Sequence, residues 1–459
     1  MLWKKTERFW KTGLTENKDG GVEYVSNGII PSGNNSKTGI LLILFLLVNS
    51  SVSVCGKDIK RENISYETGT EDMDLEEHIV SEEEKTAEQL EKGYNLPVDE
   101  EAGEQAKKDC REVMGMIADI YKSADKGSAS NVVISHEVML RMKAVIKETG
   151  YPVTSSETYA VMENYEKMDT FLQSCLDGKK GTALMYQVYS NGGIGRMEYV
   201  FDGTDMYLLA VGAAWDQKNQ PEITYLSYTR FKEWKYTDKG WFCYQLCMPE
   251  YPEVTEMMDG SSMVRVKPLT ERQRELSKQC VLPLGYQGNN ILCSNWNTET
   301  MSELDYNGMY EYLYKMKYGE RMDAEDYPNG IPAEEFESLI MEYFPVSAEQ
   351  IREWAVFDKE YGTYRWTRLG CMNYAPTFFS TSLPEVIDEK KNADGTITLT
   401  VEAVRDMIIC DDGVITHELK IQFAEDGSFQ YLGNEILNGG INDIPKYQYR
   451  FVDNSYGKK

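Results

Sequence analysis

Two hydrophobic spacings follow one another along this chain, and they predict helices first and strands afterwards. Apolar side chains recur every three to four residues from Cys110 to Tyr121 and again over residues 138–147, as on one face of a helix. From residue 181 onward, runs rich in Tyr, Val, Thr and Leu are separated by turn residues. Strands are predicted over residues 181–190, 195–201, 206–213, 223–234 and 241–248. Their short connections are typical of an antiparallel meander.

The second half of the chain repeats this order of helices and then strands. Ser347 and Gln350 have the spacing of a capping box, which predicts the start of a helix. The Asp-Gly pairs at 394–395 and 426–427 lie between alternating apolar and polar stretches, as in hairpin turns. A second antiparallel sheet is therefore expected after residue 364.

The length of the chain sets the expected number of folded units. Its 459 residues exceed the usual size of one hydrophobic core, and 41% of them are apolar, enough for globular folding. The sequence therefore predicts an α+β protein with two units, residues 110–270 and residues 271–459. In each unit, N-terminal helices are expected to pack on a curved antiparallel sheet.

The N-terminal segment has the pattern of an export signal. The apolar run at residues 39–48 has the length of a signal-peptide core and is shorter than the ~20 residues that a spanning helix needs. Residues 52–56 then resemble a bacterial lipobox, which implies that Cys55 accepts a diacylglycerol and becomes the mature N-terminus. Residues 1–55 are therefore predicted to be a lipoprotein-type signal peptide. An ordinary signal peptide cut after Ser53 and a retained anchor helix are the alternatives.

Charge separates the next segment from the rest. The chain carries 75 acidic and 48 basic side chains, a net charge of -27, and residues 62–104 alone hold sixteen acids and two bases. So acidic a chain repels nucleic acid, which is not expected as a partner. Residues 56–109 have few aromatics and many like charges, and they are predicted to be a disordered tether between the membrane and the folded part.

The cysteines and histidines suggest no metal or catalytic centre. The nine cysteines form no Cys-x-x-Cys pair, which argues against a zinc ribbon or a thioredoxin-like site. Disulfides could form outside the cell, but Cys243 and Cys247 would lie about 13 Å apart on a strand, too far to pair with each other. Of the three histidines, His136 lacks the partner of a zinc-protease pattern, and His417 is expected to be structural. No cofactor, metal ligand or catalytic residue is predicted.

The most concentrated polar and aromatic stretch lies at residues 284–297. Its amides and rings, at Tyr286, Asn289, Asn290, Trp296 and Asn297, suit hydrogen bonding and stacking, so a surface ligand-binding loop is predicted there. The alternative is a purely structural loop, in which Asn297 or Thr298 caps the helix that carries residues 304–316.

The same stretch carries a resemblance to a known group of proteins. The matching segments are residues 283–290, 294–297, 306–314, 331–336, 416–419 and 430–434. Together they resemble an uncharacterised family, a domain of unknown function, found in secreted or lipid-anchored proteins of Gram-positive gut bacteria. The resemblance covers most of the chain after Cys110. It implies export and transfers no catalytic residue.

Three functions are compatible with these patterns. The preferred one is an extracytoplasmic envelope lipoprotein with a non-catalytic binding or scaffolding role, whose partner is a glycan, a peptide or another envelope protein. The second is an extracellular, glycosidase-like hydrolase that uses acidic side chains, which a cleft with two carboxylates and one raised pKa would favour. The third is a regulatory partner of a membrane complex, which a flat exposed apolar patch would favour.

The lipobox yields the first testable prediction. We expect the protein to fractionate with membranes and to incorporate a fatty-acid analogue during metabolic labelling, and we expect Cys55→Ala to lose both properties. If Cys55→Ala stays in the membrane fraction and the wild type takes up no label, the segment at residues 39–48 is a retained helix instead.

Overall fold

The structure, a computed structural model, describes residues 82–127, 131–255, 258–369, 382–405, 412–444 and 446–451. Within these ranges it is a mixed α/β protein. The helices are α1 Glu82–Lys92, α2 Glu100–Ser123, α3 His136–Lys147, α4 Glu166–Leu176, α5 Glu271–Leu276, α6 Tyr306–Tyr318, α7 Ala333–Tyr343 and α8 Ala348–Trp354. None of these helices is both long and apolar enough to span a membrane. The predicted signal peptide, with Cys55, lies outside the described residues.

Strands form three sheets. The strands are β1 Val153–Ser155, β2 Gly181–Val188, β3 Ile194–Phe201, β4 Met206–Trp215, β5 Pro221–Tyr236, β6 Trp241–Leu246, β7 Ser261–Arg265, β8 Trp296–Asn297, β9 Ile331–Pro332, β10 Phe357–Asp358, β11 Thr363–Tyr364, β12 Leu383–Lys391, β13 Ile397–Val404, β14 Thr416–Phe423 and β15 Phe429–Ile436. Strands β1 to β7 form one sheet in chain order, and a second sheet has the order β12-β13-β14-β15-β8. A small third sheet has the order β10-β11-β9.

The seven-stranded sheet confirms the predicted meander and adds a parallel edge. Strands β2 to β7 pair antiparallel with their sequence neighbours. Strand β1, which was not predicted, pairs parallel with β2, so that Thr154 lies opposite Gln187. A parallel pair cannot be closed by a hairpin, and here α4 lies in the connection between the two strands.

The middle of this sheet is bent by β5, which at 16 residues is long for a strand. Its first half pairs with β4 and its second half with β6, and the register shifts between Phe231 and Glu233. A second shift occurs on β4 between Gly212 and Ala213. Such bulges bend a strand and increase its twist, and the sheet curls as a result. At Gly212 a Cβ atom would lie 2.1 Å from the Tyr225 ring, so only glycine fits this close approach.

The local signals of the second half are confirmed. Strands β14 and β15 flank the Asp-Gly turn at 426–427, and β12 and β13 flank the one at 394–395. The Ser347 hydroxyl accepts from the Gln350 backbone N–H, and the Gln350 side chain accepts from the Ser347 N–H, which completes the predicted capping box of α8.

Order begins earlier than predicted, and the tether interpretation of residues 82–109 is wrong. Helix α1 and the first ten residues of α2 lie there. The Asp99 side chain caps α2 by accepting from the Ala102 N–H, and acids in the first turn suit the positive end of the helix dipole. Most of these acids are exposed, whereas Ala106 of α2 and Leu96 before it are buried. The acidic composition of this segment therefore predicted a tether, although α2 packs on the sheet.

Helix α2 is held on the sheet by a buried guanidinium. Arg196 of β3 is 5% exposed, and its Nη2 lies 3.0 Å from Asp109 Oδ2 at the middle of α2. Its Nη1 lies 3.0 Å from Glu198 Oε2 on the same strand. Two carboxylates thus compensate one buried positive charge, which is needed because an unpaired buried charge is strongly destabilising.

The hydrophobic core is divided by sequence. The largest cluster of buried side chains uses residues 276–436, and two further clusters use residues 106–266. A small fourth cluster joins Trp241, Cys243 and Met263 of the first sheet to Val404 of β13.

The described cysteines are buried thiols. They are Cys110, Cys175, Cys243, Cys247, Cys280 and Cys293. The prediction that Cys243 and Cys247 do not pair with each other is confirmed. Burial raises the pKa of the Cys110, Cys280 and Cys293 thiols to about 12 and that of Cys175 to about 11. These thiols are therefore protonated and unreactive at neutral pH.

Two leucines test the corrected start of the fold. Leu96 is 5% exposed and its N–H donates to the Tyr228 carbonyl, whereas Leu90 on α1 is 55% exposed. We expect Leu96→Ala to lower the free energy of unfolding by about 2 to 5 kcal/mol, as for a buried leucine. Leu90→Ala is the control and should change it by less than about 0.5 kcal/mol. Denaturant titration measures both, and equal small effects would show that residues 82–99 do not contribute to the core.

Candidate functional site

The predicted ligand loop lies inside the protein, so the expectation of a surface site there is wrong. Tyr286, Asn289, Asn290 and Trp296 are buried, and Asn297 alone among the five predicted residues is exposed. Trp296 is 4% exposed and forms part of the largest core cluster. A ligand could not reach these four side chains without opening that core.

The buried amides of this loop serve its backbone. Asn290 Oδ1 accepts from the Asp305 N–H at 2.9 Å, and its Nδ2 donates to the Glu303 carbonyl at 2.9 Å. Asn289 Nδ2 donates to the Leu284 carbonyl at 2.9 Å, and Trp296 Nε1 donates to the Ile291 carbonyl at 2.8 Å. Irregular buried backbone needs such partners, because it lacks those of a helix or sheet. The structural alternative for this loop is supported.

The cap of the following helix is also different from the prediction. Asp305, not Asn297 or Thr298, is the N-cap of α6, and its side chain accepts from the Gly308 N–H at 2.8 Å. Asn297 lies in β8, where it pairs with Gly433 of β15.

A buried tyrosine, histidine and asparagine join this loop to the second sheet. His417 Nδ1 lies 2.6 Å from Asn434 Oδ1, and His417 Nε2 lies 2.9 Å from the Tyr286 hydroxyl. Asn434 Nδ2 donates to the Ser294 carbonyl, so its Oδ1 is the acceptor and His417 carries its proton on Nδ1. Burial lowers the pKa of His417 to about 4, against the opposing effect of the bond to Asn434. The histidine is neutral and structural, as expected from the sequence.

A different place in the molecule has the shape of a binding site. A cavity of about 210 Å³ lies between β1 and β7, the two edge strands of the curled sheet, and the start of β12. Residues 154–160, 262–265 and 382–385 contribute most of its lining. Ligand pockets for drug-sized molecules span roughly 300 to 1,000 Å³, so this cavity suits a smaller molecule. Gly285 lines it, but none of the five predicted loop residues does.

Tyr159 fixes one wall of the cavity. Its φ of 58° lies in the left-handed region, which is unfavourable for a bulky side chain and persists only where the surroundings enforce it. The enforcing contact is visible here, because the buried Tyr159 hydroxyl donates to the Pro384 carbonyl at the start of β12. The segment after β1 is thereby tied to the second sheet.

Glu385 is the most buried charged group of the cavity wall. Its Oε2 accepts from Arg265 Nη1 at 2.9 Å and from Trp241 Nε1 at 3.2 Å. Burial raises the pKa of the Glu385 carboxyl, although Arg265 and Trp241 act in the opposite direction, and the nearby Glu402 adds to the rise. Glu402 lies directly opposite Glu385 on β13 and is neutralised by Lys239 at 2.7 Å.

A second carboxylate, Glu157, lines the same cavity. It accepts from the Ser155 hydroxyl at 3.1 Å, and its other oxygen lies 2.5 Å from His136 Nδ1. The carboxylate therefore stands between the serine and the histidine. A nucleophilic serine needs the histidine beside it as a general base, so this trio is not a catalytic triad.

Three polar atoms of residues in the cavity wall lack a hydrogen-bond partner. Arg265 Nε, Ser262 Oγ and Ser382 Oγ are buried and make no hydrogen bond. Buried polar groups in native proteins are nearly always paired, so such atoms at a cavity are candidates to contact a ligand or a bound water. Within the described residues, no group of histidine, cysteine and acidic side chains is arranged to hold a metal ion.

Sequence patterns did not indicate these cavity residues. Thr154, Trp241, Arg265 and Glu385 come from four segments that are far apart in the chain and meet only because the sheet curls. The one available signal was the acidic Glu385 beside apolar residues at the start of a strand.

The fold and the cavity thus define a mixed α/β protein with a curled seven-stranded sheet and a small pocket between its edges. Over residues 103–450 the chain matches a family of unknown function, DUF6070, and it belongs to that family. The expected membership in an uncharacterised family is confirmed. No curated protein and no solved structure matches the chain.

The buried histidine gives a pH-dependent prediction. The pKa of His417 is about 6.5 unfolded and about 4 folded, so the unfolded chain takes up the proton first as the pH falls. The stabilisation by neutral His417 is complete above pH 6.5 and is lost as the pH falls towards 4, by roughly 2 to 3 kcal/mol at pH 4.5.

Denaturant titration of the wild type and His417→Gln at pH 7 and pH 4.5 tests this effect. Carboxylates titrate in both proteins, so only the difference between the two stabilities reports on His417. That difference should shrink in acid. A difference that is the same at both pH values would contradict the neutral, buried histidine.

Proposed function

We propose that this protein is an extracytoplasmic envelope lipoprotein that binds a small polar ligand in the cavity between the two sheets, without converting it chemically. The observation that carries the proposal is the presence of unpartnered polar atoms, among them Arg265 Nε and Ser382 Oγ, on the wall of a ligand-sized cavity. The signal-peptide pattern of residues 1–55 supports the location, and Cys55 is the proposed lipid attachment site.

The cavity also narrows the choice of partner. A glycan, a peptide and a whole envelope protein were the expected classes, and a volume of about 210 Å³ favours a single small group, such as one sugar or the end of a peptide. Serine, threonine and glutamine side chains line it, among them Thr154, Ser155 and Gln187. Such groups both donate and accept, which suits a hydroxylated or amide-bearing ligand.

We further infer that the fold is organised as two units that meet near residue 270. The separation of the large core clusters, one within residues 276–436 and two within residues 106–266, supports this boundary. The cavity would then lie at the junction, where ligand sites commonly occur. Secretion in a Gram-positive host is part of the same proposal.

A hydrolase is the second candidate, and one observation favours it. The cavity presents two carboxylates, and burial raises the pKa of one of them, Glu385, as a general acid requires. The hydrogen bonds from Arg265 and Trp241 favour its ionised form instead, so binding is the better-supported function. The role as a regulatory partner of a membrane complex stays a prediction.

Filling the cavity tests the proposed function. Ala160 lines it and is half-buried, whereas Ala102 on α2 is exposed. We expect sugars and short peptides of the bacterial envelope to raise the melting temperature of the wild type and of the control Ala102→Phe, but not that of Ala160→Phe. Equal shifts in all three proteins, or no shift with any compound, would overturn the proposal.

The same assay separates binding from catalysis. A ligand that is recovered unchanged after incubation with the wild type supports binding alone. Hydrolysis by the wild type that is lost in Glu385→Gln, at a temperature where circular dichroism shows this variant to be folded, would establish the second candidate instead.

A further inference from the structure

One of the two arginines of the cavity wall makes no salt bridge. Arg265 is paired with Glu385, and the Glu157 carboxylate lies 2.5 Å from His136 Nδ1. Arg274 of α5 also lines the cavity, and within the described ranges no carboxylate forms a salt bridge with it. Its guanidinium is therefore available to an anion in the cavity.

Arg274 is held in place by the backbone. Its Nη1 donates to the Leu269 carbonyl at 2.5 Å, and the side chain is half-buried. That bond uses one of the five N–H donors of a guanidinium, which leaves donors directed elsewhere. An arginine positioned in this way suits a carboxylate, whose two oxygens match its planar fork.

The unpartnered atoms Arg265 Nε and Ser382 Oγ would contact the uncharged part of the ligand. Arg265 Nε can only donate, and Ser382 Oγ can donate or accept. A neutral oxygen on the ligand would satisfy both, and the paired Glu385 leaves no net positive charge at that place to attract a second anion.

We propose that the cavity binds a small carboxylate, whose charged group is held by Arg274 and whose neutral oxygen atoms meet Arg265 Nε and Ser382 Oγ. This inference rests on the proposed function and names the ligand class of the same site. An acidic sugar and the C-terminal end of a peptide share this chemistry, and both occur in envelopes as free or exposed carboxylates.

Calorimetric titration of the full chain in detergent distinguishes an acidic sugar from a peptide carboxylate as the ligand. The probes are D-glucuronate against D-glucose, and N-acetyl-L-alanyl-L-alanine against its amide, so that each acid has a neutral counterpart of similar shape. We expect at least one acid to bind about tenfold or more tightly than its counterpart, the loss expected when a charge-assisted hydrogen bond is removed. Preference for the first pair identifies an acidic sugar, and preference for the second identifies a peptide carboxylate.

Variants of Arg274 test whether this residue causes the preference for the acid over its neutral counterpart. Arg274→Gln should bind the acid and its neutral counterpart equally, whereas Lys278→Gln removes one positive charge from an exposed position nearby and should keep the wild-type preference. Arg274→Lys retains the charge and should retain part of the preference, which guards against a loss caused by misfolding. The preference should also weaken as salt is added.

Two results would overturn the carboxylate proposal. One is a neutral counterpart that binds as tightly as its acid, or an acid preference that survives in Arg274→Gln. The other is the absence of binding by both acids at millimolar concentration. In either case, a neutral compound whose binding is abolished by Ala160→Phe would leave the proposed binding function intact, whereas failure in both experiments would overturn both.

Discussion

One buried carboxylate joins the two large sheets. Glu385 at the start of β12 accepts hydrogen bonds from Trp241 on β6 and Arg265 on β7, and the Arg265 guanidinium lies 5.1 Å from the centre of the Trp241 ring. A buried charge is tolerated only when it is paired, and removal of one partner of such a pair typically costs about 3 to 5 kcal/mol. The relative position of the sheets, and with it the shape of the cavity, depends on this contact.

The curl of the first sheet brings Trp241 and Arg265 within reach of Glu385. A flat sheet of seven strands would place β1 and β7 far apart, since neighbouring strands are about 4.8 Å apart. The bulge near Phe231 and the close approach at Gly212 bend the sheet, so that both edges face β12. Tyr159 and Glu385 then tie the two edges to the second sheet from opposite sides of the cavity.

Local patterns predicted the parts of the fold that local physics determines. Asp-Gly turns fix their hairpins through backbone conformation alone, and the Ser347 capping box is complete within four residues. No helix was predicted over residues 82–109, because acids there outnumber the small apolar residues that pack on the sheet. The loop at Tyr286 was predicted to bind a ligand at the surface, because composition alone cannot distinguish amides that satisfy buried backbone groups from amides that face a ligand. The cavity was not predictable, since its wall is assembled from distant segments by the bend in β5.

The six buried thiols bear on where this fold can form. Burial raises the pKa of four of them, Cys110, Cys175, Cys280 and Cys293, to about 11 or 12, so these four neither exchange with glutathione nor oxidise readily in air. The described fold therefore uses no disulfide for its stability, unlike many small exported domains. Reducing and oxidising surroundings should therefore leave the described arrangement of the sheets unchanged.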